Sequence, residues 1–287
     1  MFPAAFDVEI YRTGNENLVH LSDAELLTHF LSIGINEGRI ANRISSRADF
    51  ISLIPTDKKC LEIGPFNRPI LIGDKVYFAD ILSTEDLYAR AQEIGLDTST
   101  IPKITWVLKN GTLECIDQTF ELVLSSHNIE HQLDLVHHFN EVGRLIDNGG
   151  YYFLIIPDSR FCFDHFLRPS TIADALDAHY SPRSKHSLKS VIEHRALTTH
   201  NDSAQHWAGI HGPQNVDPER IKAAITEYNA NLDSGIDVHA WQFTPESFEQ
   251  IVSPLYELNL IPFKVERIYP TVRDDIEFMA ILKKTSV

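Results

Sequence analysis

Two acidic side chains stand where apolar segments of the chain end. Glu62 belongs to the apolar run CLEI, which Gly64 follows, and Asp80 ends the run VYFA. Short apolar runs of this kind are typical of buried strands. Because ligand sites in open α/β sheets lie beyond the carboxyl ends of the strands, we expect both carboxylates to face one crevice. From these two residues alone, the simpler interpretation that both acids solvate strand ends is equally open.

The turn after the first predicted strand limits what this crevice could hold. It reads GPFNRP and therefore lacks the GxGxxG pattern. A dinucleotide needs several glycines because its pyrophosphate approaches the backbone and a helix N-terminus. An adenosyl sulfonium carries no phosphate, so one glycine with a nearby carboxylate suits it better, and a carboxylate such as Asp80 can accept both ribose hydroxyls. Asn110 and Gly111 follow the third predicted strand, where they would offer a carboxamide to an adenine edge or form an ordinary tight turn.

A second set of chemically capable residues follows the fourth predicted strand. His127, Glu130 and His131 match the HxxEH pattern of inverted zinc peptidases. Such a site needs both histidines on one helix and a third ligand downstream, whereas this pattern lies at a strand-to-helix junction. We therefore expect no peptidase and no zinc. Two interpretations remain open. In one, a histidine caps the helix or hydrogen-bonds a backbone carbonyl; in the other, these residues face the crevice.

Length and composition exclude several classes of protein. The chain has 287 residues, of which 43% are hydrophobic and 23% charged, as in soluble globular proteins. A formal charge of −15 disfavours nucleic acid as a partner. The chain has no long apolar run, and its first residues do not resemble a signal peptide. Together with three widely spaced cysteines, this predicts a cytoplasmic protein without a membrane span.

The alternation of apolar and amphipathic segments predicts an α/β fold with a doubly wound, mostly parallel sheet of seven strands, that is, a Rossmann-like fold. Beyond the strands at Glu62 and Asp80, we expect strands over 104–108, 120–126, 151–156, 262–269 and 277–283. Helices are expected over 47–54, 84–94, 133–146 and 245–257. Residues 1–45 are predicted to be a helical N-terminal appendage, because Ser22 and Glu25 form a capping-box pattern before an amphipathic run. The main domain would span 46–287.

A long insertion, 159–240, follows the fifth predicted strand and would cover the carboxyl ends of the strands as a substrate lid. Its aromatic and basic side chains suit a sugar ring and an anionic group, although core aromatics in a solvated loop region are the alternative. These side chains are Tyr180, Trp207, Trp241, Arg160, Arg168, Arg183 and Arg195. The insertion is also rich in histidine. The spacing of His194, His200 and His206 does not favour a metal site, because no two of them share one helical face.

Three segments between residues 50 and 160 resemble the class I S-adenosylmethionine-dependent methyltransferases: LEIGPFNRP, YFAD and FELVLSSHNIEHQLDLVHHFNEVGRLIDNGGYYFLIIPD. Two others, IIPDSRFCFDHFLRPST and DVHAWQFTPESF, resemble a subgroup associated with bacterial surface-polysaccharide biosynthesis. The N-terminal HFLSIGINEGR is similar to helical segments beside glycosyltransferase and methyltransferase domains of such enzymes. The chain departs from the family in having Asn110 where an Asp is frequent, and one glycine in the first motif where many members have two or three.

The resemblance implies methyl transfer from S-adenosylmethionine to a sugar hydroxyl of a surface glycan or its precursor. The residues expected at the donor are Glu62, Gly64, Pro65, Asp80, Ile81, Asn110, Gly111 and Ser126. A hydroxyl must lose its proton during transfer, so a general base is required, and histidine suits that role near neutral pH. The candidate bases are His127, His131, Asp158, His165 and His239.

Some alternatives remain open from the sequence. Magnesium could act through Asp158, Asp164 and the histidines, although no motif indicates a metal site. The acceptor could instead be a phosphate or another small molecule, and glycosyltransferases could be partners. A non-catalytic scaffold of methyltransferase fold in a glycan-assembly complex is a rival function. A nicotinamide-dependent oxidoreductase is disfavoured by the missing glycines.

Overall fold

The computed structural model describes residues 2–55 and 57–285, with the exception of the Asn110 side chain. Within these residues, seven strands form one sheet in the order β3-β2-β1-β4-β5-β7-β6. The strands are β1 (Cys60–Ile63), β2 (Val76–Asp80), β3 (Trp106–Val107), β4 (Phe120–Ser126), β5 (Ile146–Pro157), β6 (Phe263–Tyr269) and β7 (Glu277–Lys284).

The sheet is doubly wound and mostly parallel. The strands β1 to β5 pair in parallel with their neighbours, whereas β7 lies antiparallel between β5 and β6. The strand order reverses between β1 and β4, so the crevice beyond their carboxyl ends is the topological switch point at which such sheets bind ligands. The predicted fold class is confirmed.

The described helices are α1 (Val8–Thr13), α2 (Asp23–His29), α3 (Arg47–Ile51), α4 (Thr84–Glu93), α5 (Leu135–Leu145), α6 (Ile172–Tyr180), α7 (Leu188–Ala196), α8 (Ser203–Trp207), α9 (Pro218–Ala230) and α10 (Pro245–Glu257). The predicted bounds agree with the structure to within a few residues for most elements. The strand β3 is shorter than predicted, since it pairs only with Ala79 and Asp80 at the end of β2.

The core lies on both faces of the sheet, because successive side chains of a strand point to opposite faces. On β4, Val123 packs in the cluster that contains Phe248 of α10, and Leu124 packs with Phe50 of α3 on the other face. Full burial of such a side chain contributes about 1.5–3 kcal/mol. Burial on both faces also explains why the central strands are nearly continuous apolar runs.

The N-terminal segment has a small core of its own, which includes Tyr11, Leu26 and Phe30. The predicted capping box of Ser22 and Glu25 is present at the start of α2. The division of the chain at residue 45 remains a prediction.

The insertion after β5 carries α6, α7, α8 and α9. Two of its helices, α7 and α9, share a small apolar cluster with Val191, Ala224 and Val238. Among the described residues, none of the helices has the length and apolarity needed to cross a bilayer.

Candidate functional site

The turn after β1 contains the backbone conformation that the single glycine was expected to provide. Gly64 has a φ of +71°, and Phe66, two residues on, has a φ of +44°. The Gly64 N–H donates to the carbonyl of Ala79 at 2.9 Å, which ties the end of β1 to the end of β2. A Cβ at position 64 would lie 3.1 Å from Nδ2 of Asn128. Gly64 therefore lies directly against the segment that follows β4.

Glu62 is buried beneath this turn. Its carboxylate accepts hydrogen bonds from the backbone N–H groups of Ile70 and Leu71 at 2.8–3.0 Å. Burial raises the pKa of Glu62 to about 7 and outweighs these hydrogen bonds, which lower it. The carboxylate thus ties the loop between β1 and β2 to β1. Its contact with a donor molecule remains a prediction.

Asp80 lies at the end of β2 and is also buried. Its Oδ1 accepts a hydrogen bond from the N–H of Leu82 at 3.0 Å, and burial raises the pKa of its carboxyl. The neighbouring Ile81 is exposed, as an apolar cover for a flat ligand would be. Gly111 has a φ of +74°, and a Cβ there would meet no described atom within 4 Å, whereas the Asn110 side chain lies outside what the structure describes. Pro65 is buried within the turn.

Ser126 and His127, at the end of β4, belong to one polar network. The Arg47 guanidinium donates to Ser126 Oγ at 2.8 Å and to both Glu277 oxygens at 2.7 and 2.8 Å. His127 Nε2 lies 2.7 Å from Glu277 Oε2. His127 also has a φ of +49°, a conformation that costs a non-glycine residue about 1–3 kcal/mol and is concentrated at functional sites. With Nε2–H donating to Glu277, its Nδ1 is left as a proton acceptor.

Three of the predicted histidines converge on one carboxylate, Glu130. This residue lies in the short 3-10 turn Ile129–His131 and is 0% exposed. Its Oε1 is 3.8 Å from His127 Nδ1, 3.9 Å from His131 Nε2 and 4.0 Å from His239 Nε2. The N–H groups of Ala240 and Trp241 donate to the Glu130 carbonyl, which holds the end of the insertion beside this turn. We refer to Glu130, His127, His131 and His239 as the Glu130 cluster.

The other ring nitrogen of each histidine is held by a second carboxylate. His131 Nδ1 is 2.8 Å from Asp237 Oδ1, and His239 Nδ1 is 2.7 Å from Asp164 Oδ2. Burial opposes protonation of His131, but the hydrogen bond to Asp237 and the Glu130 charge outweigh it and raise its pKa. The pKa of His127 is raised in the same way: burial opposes protonation, and Glu277 and Glu130 favour it.

Two predicted bases are not part of this cluster. Asp158 is fully buried, and its oxygens accept hydrogen bonds from the Arg160 guanidinium at 2.6–3.2 Å and from Thr271 Oγ1 at 2.6 Å. A carboxylate so fully bound cannot readily accept a proton from an acceptor hydroxyl. His165 stacks on His211 with ring centroids 3.7 Å apart, and its Nδ1 lies 2.7 Å from the Arg160 carbonyl.

Four histidines of the insertion lie together in a way that their spacing along the chain did not predict. His206 stacks on His200 and His165, and its Nδ1 is 3.0 Å from His211 Nδ1. These residues form a histidine stack although they share no helical face, because α8 spans only Ser203–Trp207 and loops bring the others to it.

The aromatic side chains expected to contact a sugar are mainly structural. Trp207 stacks on Phe161 at 3.7 Å and donates to the Asp275 carbonyl, and Trp241 is 4% exposed. All four of the predicted arginines are paired with carboxylates: Arg160 with Asp158, Arg168 with Asp174, Arg183 with Asp177, and Arg195 with Glu227. Tyr180 is exposed.

A polar cavity of about 180 Å³ opens in the insertion beside the Glu130 cluster. Its walls include Arg183, His186 and Lys189, and it reaches Trp241, two residues after His239. His186 Nδ1 is buried and has no hydrogen-bond partner among the described residues. Burial lowers the pKa of His186 to about 4, so the ring is neutral at physiological pH.

Sequence reasoning missed the residues that complete the cluster. In the sequence, Glu130 is visible only as part of the HxxEH pattern, which by itself does not indicate a partner for it. Glu277 and Asp237 carry no local signal, because they lie far along the chain from Glu130 and reach it only through the fold, and Asp164 was visible only as a possible magnesium ligand.

Known proteins similar to this chain are found among solved structures. No family model and no curated protein matches the chain. Among solved structures, an S-adenosylmethionine-dependent methyltransferase from Mesorhizobium loti is 13% identical, with a TM-score of 0.41, over 83% of this chain and 96% of that one. One from Clostridium acetobutylicum is 10% identical over 92% and 98%, with a TM-score of 0.42. Magnesium protoporphyrin IX methyltransferase from Synechocystis, solved with bound SAH, is 11% identical over 96% and 86%, with a TM-score of 0.36. At such identities the likeness concerns the fold alone.

Proposed function

We propose that this protein is an S-adenosylmethionine-dependent methyltransferase that acts on a hydroxyl of a sugar, in a surface glycan or its precursor. The observation that carries the proposal is the contact between the turn after β1 and the segment after β4. Gly64, in the expected donor crevice, lies against Asn128, whose neighbour His127 has an unengaged ring nitrogen. A donor site and a base are thus adjacent at the switch point of the sheet.

The residues of the crevice fit an adenosyl sulfonium. Gly64 leaves open the space that a Cβ would occupy, Asp80 offers a carboxylate for a ribose, and exposed Ile81 offers an apolar cover for the base. When bound, S-adenosylmethionine supplies an electrophilic methyl group on a positively charged sulfur. The main task of the protein is then to align the acceptor oxygen with it.

His127 is the best-placed base. Its side chain is 39% exposed, whereas that of His239 is 8% exposed. Nε2–H donates to Glu277, which Arg47 holds in place, so Nδ1 can take the proton of an acceptor hydroxyl as the new bond forms. Glu277 then stabilises the resulting imidazolium.

The polar cavity beside Trp241 supports a sugar as acceptor. It offers charged and hydroxyl groups and the unpartnered Nδ1 of His186, which suit the many hydroxyls of a saccharide. The assignment to surface glycans rests on the resemblance of two segments to that subgroup. A cytoplasmic location and association with glycosyltransferases belong to the same proposal.

A labelled-methyl assay tests the proposal. The full chain would be incubated with S-adenosylmethionine carrying a tritiated methyl group and with a panel of nucleotide sugars and reducing oligosaccharides. We expect label in at least one saccharide and a product one methyl group heavier by mass spectrometry. Label that enters only a non-saccharide acceptor would contradict the sugar assignment, and failure to bind the donor would contradict the function as a whole.

A further inference from the structure

Glu130 is a buried carboxylate without hydrogen-bond partners among the described residues, and the methyl-transfer proposal gives no reason for it. Its side chain is 0% exposed, and among the described residues neither carboxylate oxygen has a hydrogen-bond partner. Asp164 Oδ1, in the same region, is likewise buried and without a partner. A buried ionised carboxylate that lacks compensation is strongly destabilising, so a native structure keeps one in the charged form only where a positive charge offsets it.

The nearest side chains do not supply that charge by ordinary hydrogen bonds. The nitrogens of His131 and His239 that face Glu130 Oε1 are 3.9 and 4.0 Å away, beyond hydrogen-bond distance. When these rings are neutral, Nδ1–H donates to a carboxylate, and the Nε2 that is nearest to Glu130 carries a lone pair instead of a proton. Two lone pairs that face a carboxylate repel it unless a cation lies between them.

The spacing of these atoms suits such a cation. One atom each of Glu130, His131 and His239 can be chosen so that all lie within 4.8 Å of one another. Two atoms that bind one ion at about 2.0–2.2 Å stand at most about 4.4 Å apart, so a small inward movement of the rings closes the site. Asp237 and Asp164 hydrogen-bond the two imidazoles as carboxylates do in known metal sites. There, the ring nitrogen that does not bind the metal donates to a carboxylate, which fixes the tautomer.

Although the HxxEH pattern by itself predicts no zinc, we propose that Glu130, His131 and His239 bind a divalent first-row transition metal such as Zn²⁺ or Mn²⁺. Asp237 and Asp164 orient the two imidazoles, and His127, with Nδ1 3.8 Å from Glu130, lies at the edge of the site. Imidazole ligands disfavour magnesium, which prefers oxygen ligands. Three protein ligands leave positions open for an oxygen from outside.

Metal binding at this site does not depend on the proposed function, but the metal would have a catalytic role in it. If methyl transfer to a hydroxyl is correct, a cation next to His127 lowers the pKa of the acceptor hydroxyl, and His127 then removes the proton. The role in catalysis therefore rests on the proposed function, whereas metal binding does not.

Metal binding by the full chain, purified without a polyhistidine tag and stripped with a chelator, tests the site directly. Titration with Zn²⁺ or Mn²⁺ against a competing chelator is expected to give one tight equivalent. Glu130→Gln or His239→Ala should weaken it about 100-fold or more, and Asp237→Asn, at an exposed carboxylate, about 10–100-fold. His211→Ala, in the histidine stack, is the matched control and should change nothing. The proposal would be overturned if the wild type does not bind metal tightly, or if His211→Ala weakens metal binding and Glu130→Gln does not.

Thermal unfolding of the metal-free protein gives a second, independent result. Glu130→Gln removes an uncompensated buried charge, so it should raise the Tm of the metal-free protein and abolish the further increase that metal produces in the wild type. A lower Tm for metal-free Glu130→Gln would mean that protonated histidines already compensate the carboxylate, which contradicts the proposal. Binding of S-adenosylhomocysteine, measured on the same samples, distinguishes failure of this site from failure of the donor crevice.

Discussion

Gly64 lies against Asn128, and a Cβ at position 64 would be 3.1 Å from the Asn128 Nδ2 atom. This contact joins the turn after β1, with its acidic neighbours Glu62 and Asp80, to the turn after β4 that carries His127. The two ends of adjacent strands thereby form the walls of one crevice, as the topology of a doubly wound sheet requires.

The contact predicts different effects for two glycine substitutions. Gly64 and Gly95 share a φ of +71°, but a Cβ at Gly95 would meet no atom within 4 Å. Gly64→Ala and Gly95→Ala should therefore each cost about 1–2 kcal/mol of stability from the left-handed backbone. Only Gly64→Ala should also weaken S-adenosylhomocysteine binding, because its methyl group crowds the crevice. Equal donor affinities in calorimetric titrations of the two variants would remove Gly64 from the donor site.

Alanine substitutions of different histidines should affect turnover and stability differently. His127→Ala is expected to lower turnover by about 10²–10⁴-fold with little change in donor affinity, because its Nδ1 is the proposed proton acceptor. His165→Ala, within the histidine stack, should lower the Tm and leave turnover close to the wild-type value. His20→Ala, at an exposed position, serves as the control. Near-native turnover in His127→Ala would exclude it as the base.

The raised pKa of Glu62 predicts that the stability of the protein depends on pH. Its pKa is about 7 in the folded protein, above the ordinary value of 4.5, so the folded state holds the proton more tightly. The stabilisation from this group is complete below pH 4.5 and is lost as the pH rises to about 7. Between these values the free energy of unfolding should fall by at most about 1.4 kcal/mol for each pH unit. In Glu62→Gln this decline should be absent. Parallel Tm curves for the two proteins across this pH range would show that Glu62 does not titrate there.

The polar cavity predicts a separation of acceptor from donor binding. Arg183→Ala and Lys189→Ala should raise the KM for the acceptor and leave the donor Kd unchanged, because both side chains line the cavity in the insertion. Lys222→Ala, on an exposed face of α9, is a matched control. Acceptor kinetics that match the wild type in both cavity variants would move the acceptor site elsewhere.

The sequence predicted those features that depend on local pattern. The strand ends at Glu62 and Asp80 and the glycine turn were visible because apolar runs and turn residues are contiguous. The Glu130 cluster was not predictable in this way. His239 and Asp164 belong to the insertion, and their positions depend on hydrogen bonds such as that from the Ala240 N–H to the Glu130 carbonyl.

Composition alone also did not separate structural side chains of the insertion from those that line its cavity. Its tryptophans and arginines suggested ligand contacts, but side-chain partners decide their roles. Trp207 packs on Phe161, and Arg160 holds Asp158. A list of residue types cannot distinguish a paired arginine from one that is free to bind a ligand.

Calorimetric titration with S-adenosylhomocysteine and, separately, with NAD tests the central claim most directly. The account predicts that the wild type binds S-adenosylhomocysteine at one site and does not bind NAD. It further predicts that Asp80→Ala weakens the binding about tenfold or more, since hydrogen bonds to a charged group contribute about 1.5–3 kcal/mol, whereas Asp147→Ala at an exposed position of β5 does not. Binding of NAD, or the same affinity for S-adenosylhomocysteine in a folded Asp80→Ala protein, would contradict it.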